Sequence, residues 1–475
     1  MIGRREILDI AGTYGLRPQI VEKDYVLGWV LAGVYEQTAL AESWIFKGGT
    51  CLKKCYFETY RFSEDLDFTL TDPSHVDRDF LAGVFRGVGE WIYERTGIEI
   101  PSELQEFEIF ENPRGTVSCQ GKISYRGPIS PRAGGLPRVK LDLTPDELLV
   151  LRPVKRTIFH DYSDAPAEGI AVLCYAYEEA FAEKVRAFGD RARPRDLYDV
   201  VNLYRNAEAR PHPAVLHDVL ERKCAHRGLP VPELGELEAH RENLEGSWQP
   251  MLGHQLQALP SVESFWNALP EFFAWLRTGI APAVPATYRM AAGETVLRDR
   301  TLRLPISGRA QSHLEIIRFA AANRLCVDLK YRGTVRRIEP YSLRRTRDDN
   351  IVLHATRAAD GEHRSYRIDR IEGAQTTGQS FIPRFAIELI PQGPAVIAPT
   401  AARPAGSATG SRRVRGTSGI PRPAAWASGP RYVYECAYCG KRFTRKKSTS
   451  RLNPHKDKSG YPCHGRAAIP VDVRY

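Results

Sequence analysis

The chain has 475 residues, 43% hydrophobic and 26% charged, enough to bury sizeable cores in about three domains. Its longest apolar run, VLGWVLAGVY, is too short to span a bilayer, and MIGRREILDI lacks the apolar core of a signal peptide, so a cytoplasmic protein without a membrane partner is expected. The net charge of +10 is uneven: from residue 401 onward sixteen Lys and Arg face three Asp and Glu, which leaves the first 400 residues at −3. Only the tail therefore points to a polyanionic partner, against the plainer reading of a solvated, solubilising tail.

Residues 1–165 alternate helical and strand-like segments. QIVEKDYVLGWVLAGVYE has helical spacing of its apolar residues, while WIFK and EDLDFTL read as strands. RVKLDLTP alternates Val139, Leu141 and Leu143 with Lys140, Asp142 and Thr144. Residues 166–283 are mostly helical, from YEEAFAEKVRAFGDRA to SFWNALPEFFAWL, and 284–308 read as a linker. Within 309–392 the helix HLEIIRFAAANR precedes short strands, CVDLKY, TVRRIEPYSL, NIVLHATR, RSYRIDRIEG and RFAIELI, the texture of a small β-rich domain. Residues 393–429, rich in Pro, Gly, Ala, Ser and Thr, read as a flexible linker, and 430–475 as a compact terminal module. The expected fold class is α+β. Cys51, Cys55, Cys119, Cys174, Cys224 and Cys326 are scattered without regular pairing and read as reduced thiols.

Asp65 and Asp67 stand two residues apart in a strand, so both carboxylates share one face while Leu66 and Phe68 point to the core. Like charges this close need a compensating partner. Asp142, on the polar face of another strand, is a third candidate ligand, and such a set suits Mg²⁺ (or Mn²⁺). Between WIFK and the helix-like TCLKKCYF lies Gly48-Gly49, a tight turn whose backbone N–H groups, with the Thr50 hydroxyl, would bind a triphosphate. Lys47, Lys53 and Arg61 are cations nearby. The plain alternative is a surface turn beside a solvated acidic strand end.

FKGGTCLKKCYFETYRFSEDLDFTL resembles the signature of the AbiEii/AbiGii-type toxin nucleotidyltransferases, within the polymerase-β-like superfamily. VEKDYVLGWVL resembles that family's leading helix, and EEAFAEKVRAFGDRARPRDLYDV its later motifs. The resemblance implies a polymerase-β-like core with a helical C-terminal subdomain. It implies phosphate binding by Gly48, Gly49 and Thr50, and metal binding by Asp65, Asp67 and Asp142. Lys184 would neutralise phosphate charge, and Asp196 would act as a base or orient that lysine. On residue type alone, Lys184 reads more often as a solvated helix position or an i,i+4 ion-pair partner, and Asp196 as a first-turn acid after Pro194. A nucleoside triphosphate substrate, an RNA acceptor such as a tRNA 3′ end, and a cognate antitoxin are implied as partners, in a type IV toxin–antitoxin or phage-defence setting.

LEIIRFAAANRLCVDLKYRGTVRRIEPYSL, with RSYRIDRI, resembles a WYL domain, although the Trp-Tyr-Leu of the name stands here as Ile351-Val352-Leu353. Tyr331, Arg337, Arg364 and Arg367 are its candidate ligand-binding residues, and an ordinary solvated arginine face is the other reading. In the terminal module Cys436-x2-Cys439 is followed by His455 and Cys463, a set that suits structural Zn²⁺ in a segment too small for its own core. His464 is a competing ligand. Arg442, Arg445, Lys446 and Lys447, with Lys441 and Arg451, would favour phosphate backbones. Two functions follow: a transferase that modifies RNA (or, as a variant, protein), and a non-catalytic nucleic-acid-binding regulator.

Overall fold

The computed structural model describes residues 1–389 and 431–474 apart from 15, 58–60, 112–114, 131–134, 207–208, 281–284, 288–290, 292, 298–307, 437–438, 446–451, 458–461 and 464–467. Met1–Pro394 form one compact unit and Ala395–Tyr475 another. Among the described residues no helix is long and apolar enough to cross a membrane.

The period-2 alternation of the N-terminal third becomes a seven-stranded mixed sheet. Its strands are β1 (Trp44–Lys47), β2 (Asp65–Leu70), β3 (Glu106–Glu111), β4 (Val117–Ser124), β5 (Arg138–Thr144), β6 (Val154–Thr157) and β7 (Ala171–Cys174), in the order β3-β4-β5-β2-β1-β7-β6. β2 pairs with β5, and β1 with β7, in parallel; the other neighbours are antiparallel. Leu66, Phe68, Leu141 and Leu143 are wholly buried on one face. Trp44 meets Phe68 at 5.3 Å and Phe85 at 6.1 Å, a tilted aromatic cluster that seats a helix on the sheet.

Before β1 come helices α1 (Arg4–Tyr14), α2 (Pro18–Glu36) and α3 (Thr38–Ala41); α4 (Gly48–Cys51) follows β1, and α5 (Arg78–Thr96) carries Phe85. The helical subdomain contains α6 (Tyr177–Arg191), α7 (Pro194–Arg205), α8 (Pro213–Arg227), α9 (Leu234–Leu237), α10 (Arg241–Leu252), α11 (Val262–Trp266) and α12 (Leu269–Thr278). Pro194 opens α7, where its missing N–H is harmless, and Ala192 at φ 44° makes the tight connection that folds α7 back onto α6.

Next come the short strand β8 (Thr295–Val296) and helix α13 (Gly308–Ala322), which packs on a sheet of β9 (Leu325–Tyr331), β10 (Thr334–Arg345), β11 (Ile351–Arg357), β12 (His363–Arg367) and β13 (Ile371–Ser380). The order is β12-β11-β10-β9-β13, with β8 on β10. Two expectations are corrected here. The described part of RFAIELI, 384–389, is not a strand: Phe385 and Ile387 pack on the Tyr341 cluster, Glu388 reaches the buried Arg344 guanidinium at 3.1 Å, and the Glu388 N–H donates to the Tyr341 carbonyl at 2.7 Å, so the segment is anchored by side chains and isolated backbone bonds without a ladder. IEGAQTTGQS is a strand although it lacks apolar alternation, because β9 supplies its hydrogen bonds.

The β-rich domain is joined to the helical subdomain by a buried contact. Tyr198 on α7 donates its hydroxyl to Asn323 Oδ1 at 2.7 Å, and both residues are buried. Asn323 is fixed by its own amide, which donates to the Phe319 carbonyl at 3.0 Å. Removing this buried acceptor should cost about 1–3 kcal/mol. Asn323→Ala is expected to lower the thermal unfolding midpoint, whereas the exposed control Thr278→Ala should stay close to the wild type.

Candidate nucleotide and metal site

The parallel register of β2 and β5 sets Asp67 opposite Asp142, and the antiparallel register of β1 and β2 sets Lys47 opposite Asp67. Asp65, Asp67 and Asp142 thus share the sheet face opposite the buried leucines. Burial pushes the Asp67 carboxyl up to about 6; Lys47 and Lys184 oppose that rise, while Asp142 and Asp65 add to it. Asp142 is also raised, chiefly by burial, with Asp65 adding to the rise and Lys47 and a hydrogen bond from Gln120 opposing it. Hard oxygen donors that resist being charged together are what Mg²⁺ stabilises, so the donor set fits that ion.

The double glycine is required by this geometry. Gly48 has φ +80°, and a Cβ there would stand 1.9 Å from Asp67 Oδ2. A Cβ on Gly49 would stand 2.9 Å from Arg61 Nη2, so the guanidinium lies over the turn. Thr50 departs from its expected role. It is fully buried, and its hydroxyl donates to the Asp65 carbonyl at 2.5 Å, tying the turn to β2 and leaving no proton for a phosphate. Beyond Cys51 the helix widens into a π turn, Leu52–Tyr56, closed by the Phe57 N–H on the Leu52 carbonyl at 2.8 Å. Lys53 is buried with its ammonium 4.0 Å above the Phe62 ring, and Lys47 lies 3.4 Å from Glu147.

Arg61, Lys184 and the Arg-Asp-x-Tyr-Asp segment meet differently from expectation. Asp196 is wholly buried and binds Arg191, accepting from Nε at 2.7 Å and Nη2 at 2.9 Å; it neither orients Lys184 nor stands free as a base. Asp199, also wholly buried, takes that place. It accepts from Arg61 Nε at 2.7 Å and Nη2 at 2.9 Å, and Lys184 Nζ lies 2.8 Å from its Oδ2. Arg61 and Lys184 hold the Asp199 carboxyl far below the ordinary range against its burial. Arg195, half-buried, is close enough to Asp65 and Glu64 to feel their charge. Arg195 and Asp199 begin and end the Arg-Asp-x-Tyr-Asp segment that the family resemblance implies for the site, but of that segment only Asp196 carries an expected role. Their signal was the helix hairpin itself: Arg191 and Asp196 flank the connection and pair, so Lys184, farther back, meets a residue farther on.

The leading helix motif also acquires reasons. Glu22 accepts the Ile129 N–H at 2.6 Å, Lys23 pairs with Glu64 at 2.8 Å just before β2, and Asp24 binds Lys54 of the π turn at 2.7 Å. Three successive charges of α2 each hold a different loop.

In the second unit, Cys436, Cys439, His455 and Cys463 place their ligand atoms within 4.8 Å of one another. Cys436 Sγ lies 3.8 Å from Cys463 Sγ, and Cys439 Sγ 3.4 Å from His455 Nε2. His455 Nδ1 is 3.0 Å from the Asn453 carbonyl, which leaves Nε2 for a metal, and Phe443 packs edge-on to the ring at 4.9 Å. Gly440 at φ 64° closes the turn, and its N–H donates to the Cys436 carbonyl. The ligands sit on β14 (Arg431–Cys436), the following turn, β16 (His455–Lys456) and β17 (Pro462–Cys463); β15 (Arg442–Arg445) and β18 (Ala468–Arg474) flank β14. The set fits tetrahedral Zn²⁺. Arg442 is exposed and pairs with Glu435 at 2.8 Å, and Arg445 lies on β15. Lys446, Lys447, Arg451 and His464 lie outside the described residues.

The WYL-like arginines are all in ion pairs with near neighbours: Arg337 with Asp328 at 2.8 Å, Arg364 with Glu362 at 2.7 Å, and Arg367 with Asp369 at 2.7 Å. Tyr331 meets Tyr366 edge-to-face at 5.2 Å. Leu353, the surviving residue of the Trp-Tyr-Leu trio, is wholly buried in the core.

A mixed sheet presents acids from two strands beside a glycine turn, with Lys47 opposite Asp67, an arrangement that suits a nucleotidyltransferase. The family model "nucleotidyl transferase AbiEii toxin, type IV TA system" matches residues 29–277, more than half of the chain, and the chain belongs to that toxin family. A WYL domain matches residues 312–376. Among solved structures, the nucleotidyltransferase toxin MenT4 of Mycobacterium tuberculosis H37Rv is 21% identical, with 58% of this chain and 90% of that one covered and a TM-score of 0.41. The proteasome accessory factor B/C of Arthrobacter aurescens is 14% identical over 78% of this chain and 74% of that one, with a TM-score of 0.15. No curated protein matches the chain.

Asp199→Ala leaves Arg61 and Lys184 buried without their shared carboxylate, and a stability loss of about 3–5 kcal/mol is expected in denaturant unfolding at neutral pH. Because the folded carboxyl titrates below its unfolded value, this contribution is full above the ordinary carboxylate range and shrinks as pH falls toward the lowered value, so wild type and variant should converge in acid. Chelation by EDTA should unfold the second unit, read as loss of dispersion for its amides in NMR.

Proposed function

We propose that this toxin moves a nucleotidyl group from a nucleoside triphosphate to RNA, with a tRNA 3′ end as the acceptor, in the cytoplasm and under the control of a cognate antitoxin. The observation that carries the reading is the close approach of Asp67 to Gly48: the phosphate turn and the metal-binding acid are built against each other, with no room for a side chain between them.

Asp65, Asp67 and Asp142 would hold Mg²⁺ (or Mn²⁺), which supplies charge neutralisation and Lewis-acid activation of the phosphoryl centre when bound. The chain's own groups do the positioning. The Gly48-Gly49 backbone receives the phosphates, and Thr50 keeps that turn at a fixed distance from Asp65. Lys47 and Lys184 bring positive charge to the same face, and Asp199 holds Lys184 in place. An acceptor hydroxyl then attacks the α-phosphorus in line and pyrophosphate leaves. Most of the acceleration comes from positioning and fixed charge. The basic terminal module, with Arg442, Arg445, Lys446 and Lys447, retains the RNA backbone without reading its sequence.

Incubation with radiolabelled triphosphates, total RNA and Mg²⁺ should label tRNA, and Asp65→Ala/Asp67→Ala should reduce labelling by a factor of roughly 10³ or more, the scale of losing a major charge-stabilising group. Label on protein would move the acceptor to protein nucleotidylation. Equal labelling by the variant would remove the assignment and leave a nucleic-acid-binding regulator as the better account.

A further inference from the structure

Three of the scattered cysteines converge. Cys51 ends α4, Cys55 lies in the π turn, and Cys174 ends β7; their Sγ atoms all lie within 4.8 Å of one another. All three residues are fully buried. Cys174 stands beside Phe46 in the parallel register of β7 with β1, the strand that runs directly into the glycine turn. The cluster therefore sits behind the phosphate turn, on chain segments separated by more than a hundred residues.

One cation and one phenol border the cluster. The buried Arg156 donates from Nε to the Cys55 carbonyl at 3.0 Å, and its guanidinium lies 4.5 Å above the Tyr56 ring. The Tyr56 hydroxyl donates to the Tyr175 carbonyl at 2.5 Å and stands 3.9 Å from Cys174 Sγ. Sulfur–metal bonds of about 2.3 Å in a trigonal set bring sulfurs to about 4 Å apart, so the observed cluster needs little contraction to close on an ion. Soft thiolates select a different class of cation from the carboxylates on the sheet. The π turn between Cys51 and Cys55 is a helix irregularity of the kind that recurs at functional sites.

We propose that Cys51, Cys55 and Cys174 form a second metal site, a three-thiolate site for a thiophilic divalent cation such as Zn²⁺, which staples the glycine turn to β7. Binding displaces three S–H protons and leaves one net negative charge, which the Arg156 guanidinium balances. The site is independent of the transferase reading and of the terminal cysteine-histidine cluster.

Metal counting on the full chain tests it. Chain produced in zinc-supplemented cells and desalted should carry two zinc ions; Cys436→Ser/Cys463→Ser should keep one, and Cys51→Ala/Cys174→Ala should keep the other. Far-UV circular dichroism checks folding, and Cys55→Ser serves as a milder variant. Production in Cd²⁺ should leave a thiolate-to-metal charge-transfer band in the Cys436→Ser/Cys463→Ser chain. A folded Cys436→Ser/Cys463→Ser chain with neither metal nor band would overturn the proposal. So would a Cys436→Ser/Cys463→Ser chain lighter by two hydrogens with the bond mapped between two of Cys51, Cys55 and Cys174, since a disulfide would then occupy the cluster.

Discussion

Parallel pairing of β2 with β5 forces Asp67 and Asp142 into adjacent positions on one face, and their mutual repulsion is the constraint around which the site is arranged. Neither carboxylate is well solvated, and burial raises both. Lys47, opposite Asp67 across β1, offsets part of that repulsion and leaves a deficit of positive charge on the sheet face. In the proposed function a divalent ion with a triphosphate would answer that deficit, so the repulsion between the acids would favour the loaded site.

The rest of the catalytic unit reads as support for that face. Gly48 leaves space for Asp67, Thr50 ties the turn to β2, and Arg61 lies over Gly49. Asp199 links Arg61 and Lys184 into one buried ionic group, so the glycine turn and helix α6 are positioned together. Tyr198, the neighbour of Asp199 on α7, reaches the β-rich domain through Asn323. The helix that sets the lysine therefore also carries a buried hydrogen bond to the WYL domain.

Much of this was legible in the order of residues. β1, β2 and β5 follow from alternation, and the Cys436–Cys439–His455–Cys463 quartet from ligand spacing that is largely local. Other features depend on long-range packing. β13 is polar and takes its hydrogen bonds from β9, while RFAIELI alternates like a strand yet is held by side-chain packing and isolated backbone bonds rather than a ladder. Thr50 looked like a phosphate ligand because a hydroxyl beside a glycine turn suits one, but burial gives that hydroxyl to a carbonyl. Asp196 and Asp199 are three residues apart on one helix, and only the tight α6–α7 connection decides which of them meets Lys184. The Cys51–Cys55–Cys174 convergence carries no spacing signal, since its third member arrives on a distant strand.

The central claim is that Asp67 and its neighbours bind a triphosphate only together with a hard divalent ion. Titration calorimetry with a non-hydrolysable triphosphate, with and without Mg²⁺, on wild type and Asp67→Asn addresses it directly. Binding that requires Mg²⁺ and is lost in Asp67→Asn is the predicted result. Equal affinity in the absence of the ion, or in the variant, would contradict the account.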